Sequence, residues 1–153
     1  MVASGELTSL GKNLANALNA LSQRTVVVVS ADLAHTHLSS GPYGFSKDAE
    51  PFDQACGAWA RTLDSDVLLQ TALKHAVNAE SCGYTGLVVL DGLMSEMSAQ
   101  KKELDTRGQV PLKPLQLRGS SVVSDTPKWN ASAVVGPFHP TYYGMMTAFF
   151  QLE

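Results

Sequence analysis

Cysteine is scarce in this sequence: Cys56 and Cys82 are the only two, and they have no CxxC spacing. Two thiols cannot build a disulfide framework, so the chain reads as one that keeps them free in a reducing compartment, the cytoplasm. Basic clusters are lacking as well. With 11 Lys and Arg against 14 Asp and Glu the net charge is −3, and nothing offers the positive face used to bind nucleic acid. No apolar run approaches the ~20 residues needed to cross a bilayer. Residues 1–12 have neither the apolar core nor the cleavage site of a secretory signal, so no membrane partner is expected. Charged residues make up only 16% of the 153 and hydrophobic ones 44%. That is the balance of one folded soluble domain and not of a disordered chain.

What is present is concentrated in one stretch, Thr25-Val26-Val27-Val28-Val29-Ser30-Ala31-Asp32-Leu33-Ala34-His35-Thr36-His37. Consecutive valines are stiff at χ1 and suit a pleated backbone, and a run without polar alternation reads as a strand covered on both faces. The expectation is a central strand of an α/β fold, in a layered, mixed or mostly parallel sheet flanked by helices. The strand stops at Ser30, Asp32, His35 and His37, and open α/β sheets keep their ligand crevices at such carboxyl ends.

Around it the chain reads as alternating elements. Leu7, Leu10, Leu14, Leu18 and Leu21 form one apolar stripe on a helix of about 6–22, with Ser4 as N-cap. Ser39-Ser40-Gly41-Pro42-Tyr43-Gly44 is turn chemistry, and Pro51 opens the next helix. Phe52, Ala55, Trp59 and Leu63 mark that helix, and Leu68 to Ala76 mark another. After the bend Asn78–Tyr84 a third stripe runs through Leu87, Leu90, Leu93, Met94 and Met97. Residues 100–108 read as a charged, exposed connection, and 115–117 and 121–123 as short strands. Ala133-Val134-Val135 precedes a Gly-Pro turn. Residues 142–151 form a last strand or helix, because a short apolar run cannot settle its own period.

Asp32 and His35 lie three apart. If the chain turns there, a carboxylate stands beside an imidazole and orients it, as in a general acid/base; the plainer alternative is a turn cap beside a hydrogen-bonded wall residue. Glu80 and Cys82 share the later bend, where a carboxylate oxygen and a thiolate sulfur are both metal-ligand types, or else a helix cap and a buried thiol. His37, Tyr43 and His139 are candidates to line a pocket, and His75 reads as a surface residue. A Ser30-Asp32-His35 hydrolase is disfavoured, since no nucleophile-elbow glycines surround Ser30.

In their order and spacing these motifs resemble the carboxyl-terminal half of the class III extradiol ring-cleavage dioxygenase superfamily, in its catalytic-subunit branch. That branch includes the protocatechuate 4,5-dioxygenase catalytic subunit, the Memo proteins and the AmmeMemoRadiSam-system domains. The residues that carry the resemblance are Ser30-Ala31-Asp32-Leu33-Ala34-His35, Gly41-Pro42-Tyr43-Gly44-Phe45, Pro51-Phe52-Asp53, Glu80-Ser81-Cys82-Gly83-Tyr84 and Val135-Gly136-Pro137-Phe138. With the leading helix and the segment that follows them, the resemblance extends over about residues 7–150.

The resemblance implies a non-haem Fe(II) site, or one for another divalent metal, acting on a catechol-type small aromatic substrate. His35 would be its acid/base and Glu80 its carboxylate ligand. In the Memo branch it implies Asp32, His35 and Cys82 at the metal instead, in a binding or scaffold protein without dioxygenase activity. The family's two metal-binding histidines come from an amino-terminal half that this sequence does not match. The expectation is therefore a single domain that is inactive in isolation, and that associates with copies of itself or with a chain supplying that half.

Overall fold

The computed structural model describes residues 4–108 and 129–152. The expected strands at 115–117 and 121–123 lie outside the described residues. Helix α1 (Ser4–Asn19) buries Gly11 and Ala15 and packs along α4 (Tyr84–Gly108). The two helices touch backbone to backbone. A Cβ at Gly11 would collide with the Val89 carbonyl, and one at Gly92 with the Thr8 carbonyl, so the crossing needs residues without a side chain. Residues 100–108, expected to be a connection, belong to α4 instead. Gln100, Lys101, Lys102, Glu103 and Leu104 are all good helix formers, and no proline or glycine intervenes before Gly108.

Helix α2 (Ala49–Thr62) turns Phe52, Ala55 and Trp59 into the core, as its sequence stripe predicts, with Cys56 and Ala60 buried beside them. Pro51 is tolerated because it stands in the first turn. The helix ends where Leu63 adopts a left-handed conformation (φ 55°) and its N–H returns to the Trp59 carbonyl at 2.7 Å. A π-helical segment, Val67–Ala72, leads into α3 (Leu73–Ala79), which Glu80 ends in the same left-handed way (φ 52°). Among the described residues no helix is long and apolar enough to cross a membrane.

Strands β1 (Trp129–Phe138) and β2 (Met145–Leu152) form an antiparallel hairpin. Its register pairs Val134 with Ala148 and Ala131 with Phe150, with an irregularity between Val135 and Phe138. Gly136 stands there with φ 100°, and the Gly136–Pro137 bond is cis. Val134, Met146, Ala148 and Phe150 pack on the core, the Phe150 ring 5.9 Å from Trp59, while Val135 and Phe149 remain exposed. Pro137 rests on Gly57 of α2, where a side chain would collide with it.

The fold is therefore mixed α/β: among the described residues, four α-helices and a two-stranded antiparallel hairpin packed against them. It corrects the expected layered sheet, because no parallel pairing occurs among the described residues. It also corrects the expected central strand. Val26 to Val29 have no strand partner among the described residues, and Val26 and Val28 are 81% and 85% exposed. Valine suits a pleated surface, but a strand exists only where a neighbour takes up its N–H and C=O groups. Pairing begins where the valines stop. Leu33 N–H donates to Gly144 O (3.0 Å), Gly144 N–H to Ala34 O (2.6 Å) and His37 N–H to Tyr142 O (3.1 Å).

Candidate metal centre

The segment 32–37 is held from three sides. Gly83 N–H and the Ser81 hydroxyl both donate to the Asp32 carbonyl, at 3.1 and 3.0 Å, and His35 N–H donates to Ala79 O at 2.8 Å. Gly83 is required there, since a Cβ would strike Ala31 and the Asp32 carbonyl. The short bend between α3 and α4 is thereby sewn to the residues that follow the valines.

This stitching brings Cys82 to His35. The Cys82 Sγ lies 3.9 Å from His35 Nε2, and Asp32 Oδ2 lies 3.6 Å from the same nitrogen. The three donor atoms fall within 4.8 Å of one another. The arrangement differs from a nucleophile triad, in which the carboxylate binds the ring nitrogen opposite the one facing the nucleophile. Here carboxylate and sulfur approach one nitrogen, so oxygen, nitrogen and sulfur converge on a common point. That mixed set suits a borderline divalent ion such as Zn²⁺ better than the two-histidine, one-carboxylate set used for ferrous iron. Asp32 and Cys82 are exposed and His35 is mostly covered, so the donors face outward from a fixed ring. Tyr43 and Tyr142 flank that ring, with centroids 5.3 and 6.3 Å away.

Other expected site residues lie apart. Glu80 is the exposed C-cap of α3 and is not part of the cluster with Asp32, His35 and Cys82. His37 turns instead to Asp53, with Nε2 2.7 Å from Oδ2, and His139 stacks on His37 at 4.1 Å. His75 pairs with Asp48 at 2.8 Å, next to Asn78, on the flank of α3. The two thiols diverge. Cys56 is fully buried, and desolvation followed by the charge of Asp53 pushes its pKa far above the ordinary value, which makes it an inert core residue.

Sequence reasoning does not single out Asp53, Glu50 and Tyr142 as site residues. Asp53 is buried and accepts two bonds, from Ala34 N–H (2.8 Å) and from His37. Burial raises its carboxyl pKa despite these bonds, which act in the opposite direction. Gly144 leaves the space for this carboxylate, since a Cβ there would overlap it. A charged residue two places after Pro51 on an otherwise apolar helix stripe is the available signal, but its partners come from residues 34 and 37 and cannot be read from α2 alone.

No family model matches the chain. Among curated proteins, Protein CA_C1420 of Clostridium acetobutylicum is 28% identical over 89 residues, covering 58% of this chain and 19% of that protein. The chain spans about a fifth of the length of the curated relative it matches.

Proposed function

We propose that this chain is an extradiol-dioxygenase-like domain of the Memo-like kind, whose Asp32, His35 and Cys82 contribute ligands to a divalent-metal site. The observation that carries this reading is the Cys82 Sγ at 3.9 Å from His35 Nε2, with Glu80 outside the cluster. Sulfur in the donor set favours zinc-like ions over the all-nitrogen-and-oxygen iron sites of ring cleavage. When bound, such an ion supplies Lewis acidity. Of the chain's own groups, His35 is the ligand held in place by its backbone bond to Ala79, while exposed Asp32 and Cys82 adjust around it. The layered sheet of the resemblance would be completed by strands from another polypeptide, a second copy or one supplying the amino-terminal half. The bare valine run supports that reading.

Ring cleavage of a catechol-type substrate, with His35 as acid/base at iron, is the second reading. The Tyr43 and Tyr142 rings beside His35 favour it, since they offer faces for an aromatic ring. Cobalt titration separates the two. The Memo-like reading predicts a sulfur-to-metal charge-transfer band that disappears in Cys82→Ser, and affinity at least about tenfold weaker in His35→Ala, or ~1.4 kcal/mol. Oxygen uptake with catechols and ferrous iron, lost in His35→Ala but kept in Cys82→Ser, would overturn it in favour of ring cleavage.

A further inference from the structure

A second group of donors lies outside that cluster. His37, Glu50 and His139 bring one nitrogen or oxygen each within 4.8 Å of one another. They come from three segments: His37 from a bridge to Phe45, Glu50 from the first turn of α2, and His139 from the turn between β1 and β2. The set is two imidazoles and one carboxylate, with no sulfur.

The decisive detail is how His37 is held. Its side chain is 4% exposed, and Nε2 lies 2.7 Å from Asp53 Oδ2. The other Asp53 oxygen is occupied by Ala34 N–H, so the carboxylate cannot swing away. In the neutral ring, a carboxylate at Nε2 takes the N–H and leaves the lone pair on Nδ1. Metal-binding histidines are commonly fixed in this way, one nitrogen donating to a carboxylate and the other facing the ion. His139 lies flat on His37, with planes 6° apart, and its Nε2 is 3.4 Å from Glu50 Oε2. Both are solvent-facing, with side chains 47% and 53% exposed.

We propose that His37, Glu50 and His139 form a second binding site for a borderline divalent transition ion such as Zn²⁺ or Co²⁺, with Asp53 fixing the tautomer of His37. In the stacked arrangement the lone pairs of the two rings lie in parallel planes and cannot meet at one ion. His139 therefore turns off the stack through its exposed side-chain torsions and Glu50 follows, while His37 stays where Asp53 holds it. Three protein ligands leave a fourth position for water or a small anion. The site uses none of Asp32, His35 and Cys82, so its fate is separable from theirs.

The test is made on the full chain in a Cys82→Ser background, which removes the sulfur ligand of the first cluster. Titration with Co²⁺ is expected to retain one equivalent, with visible ligand-field bands and no sulfur charge transfer. Adding His139→Ala or Glu50→Gln, both at exposed positions that leave the helical circular dichroism unchanged, should weaken that equivalent at least tenfold. Ring ¹⁵N shifts of the metal-free protein should show His37 protonated on Nε2 and bare on Nδ1. Binding indifferent to His139→Ala and Glu50→Gln, no binding in the Cys82→Ser background, or the opposite tautomer would each overturn the proposal.

Discussion

Trp59 and Val28 stand at opposite extremes of this molecule. Trp59 is wholly buried, with its indole N–H donating to Asp91 at 2.8 Å, whereas Val28 is 85% exposed on its unpaired run. Both are large apolar residues, so hydrophobicity alone does not separate them. The difference lies in the backbone. A helix satisfies its own N–H and C=O groups and needs only one face covered, so α1, α2 and α4 assemble from local pieces. A strand needs at least one neighbouring strand to take up its backbone groups, and the valine run finds none among the described residues.

The largest effect is expected from the contrast itself. Trp59→Ala should lower unfolding stability by roughly 3–5 kcal/mol, while Val28→Ser should change it by no more than ~0.5 kcal/mol, both measured by denaturant titration. A cost at Val28 comparable to that at Trp59 would mean that the run is covered in solution and would break the comparison. Next in size is Asp53, which ties the end of the run to α2. Asp53→Ala leaves the Ala34 N–H and the His37 ring without their acceptor and should cost about 3 kcal/mol. Burial holds the Asp53 carboxyl above its ordinary 3.8. The proton-linked part of its contribution is thus full below that value and is lost as pH rises through the raised one, while its bonds to Ala34 and His37 persist. A ¹³C titration of the carboxyl with a midpoint at or below 3.8 would contradict this.

The smallest effect belongs to Asp48, where the bond to His75, and then that to Asn78, lowers the carboxyl pKa below 3.8. The sign is reversed. Its stabilisation is present above 3.8 and fades as pH falls through the depressed value. Asp48→Asn should flatten the acid limb of thermal stability against pH, slightly, because the carboxylate is screened by solvent. An unchanged limb would show that the pair contributes nothing.

What can be read from the sequence follows the same division. The Leu7–Leu18 and Phe52–Leu63 stripes form helices close to their expected spans, because an apolar stripe of helical period can hardly be satisfied otherwise. The Asp32–His35 pair does meet, at 3.6 Å, but not through the helical turn its spacing suggests: residues 32–34 form no turn, and Leu33 and Ala34 bond to Gly144 instead. The exposure of Val26, Val27 and Val28 is not legible, because a run of valines carries no information about which neighbour is at hand. Nor is the choice between Glu80 and Cys82. The left-handed turn at Glu80 directs the chain so that the thiol, two residues later, meets His35. His37, the α2 turn that carries Glu50 and Asp53, and His139 come from three separate segments, and only tertiary packing brings them together.

The glycine contact between α1 and α4 bears on the valines as well. Gly11 and Gly92 clamp the first helix at backbone range, so the chain entering the run is moored on one side, and Gly83 and Gly144 moor it on the other. A segment fastened at both ends explores far fewer shapes than a loose tail. Any strand that docks beside it surrenders correspondingly less conformational entropy, and recognition there should be limited more by fit than by disorder.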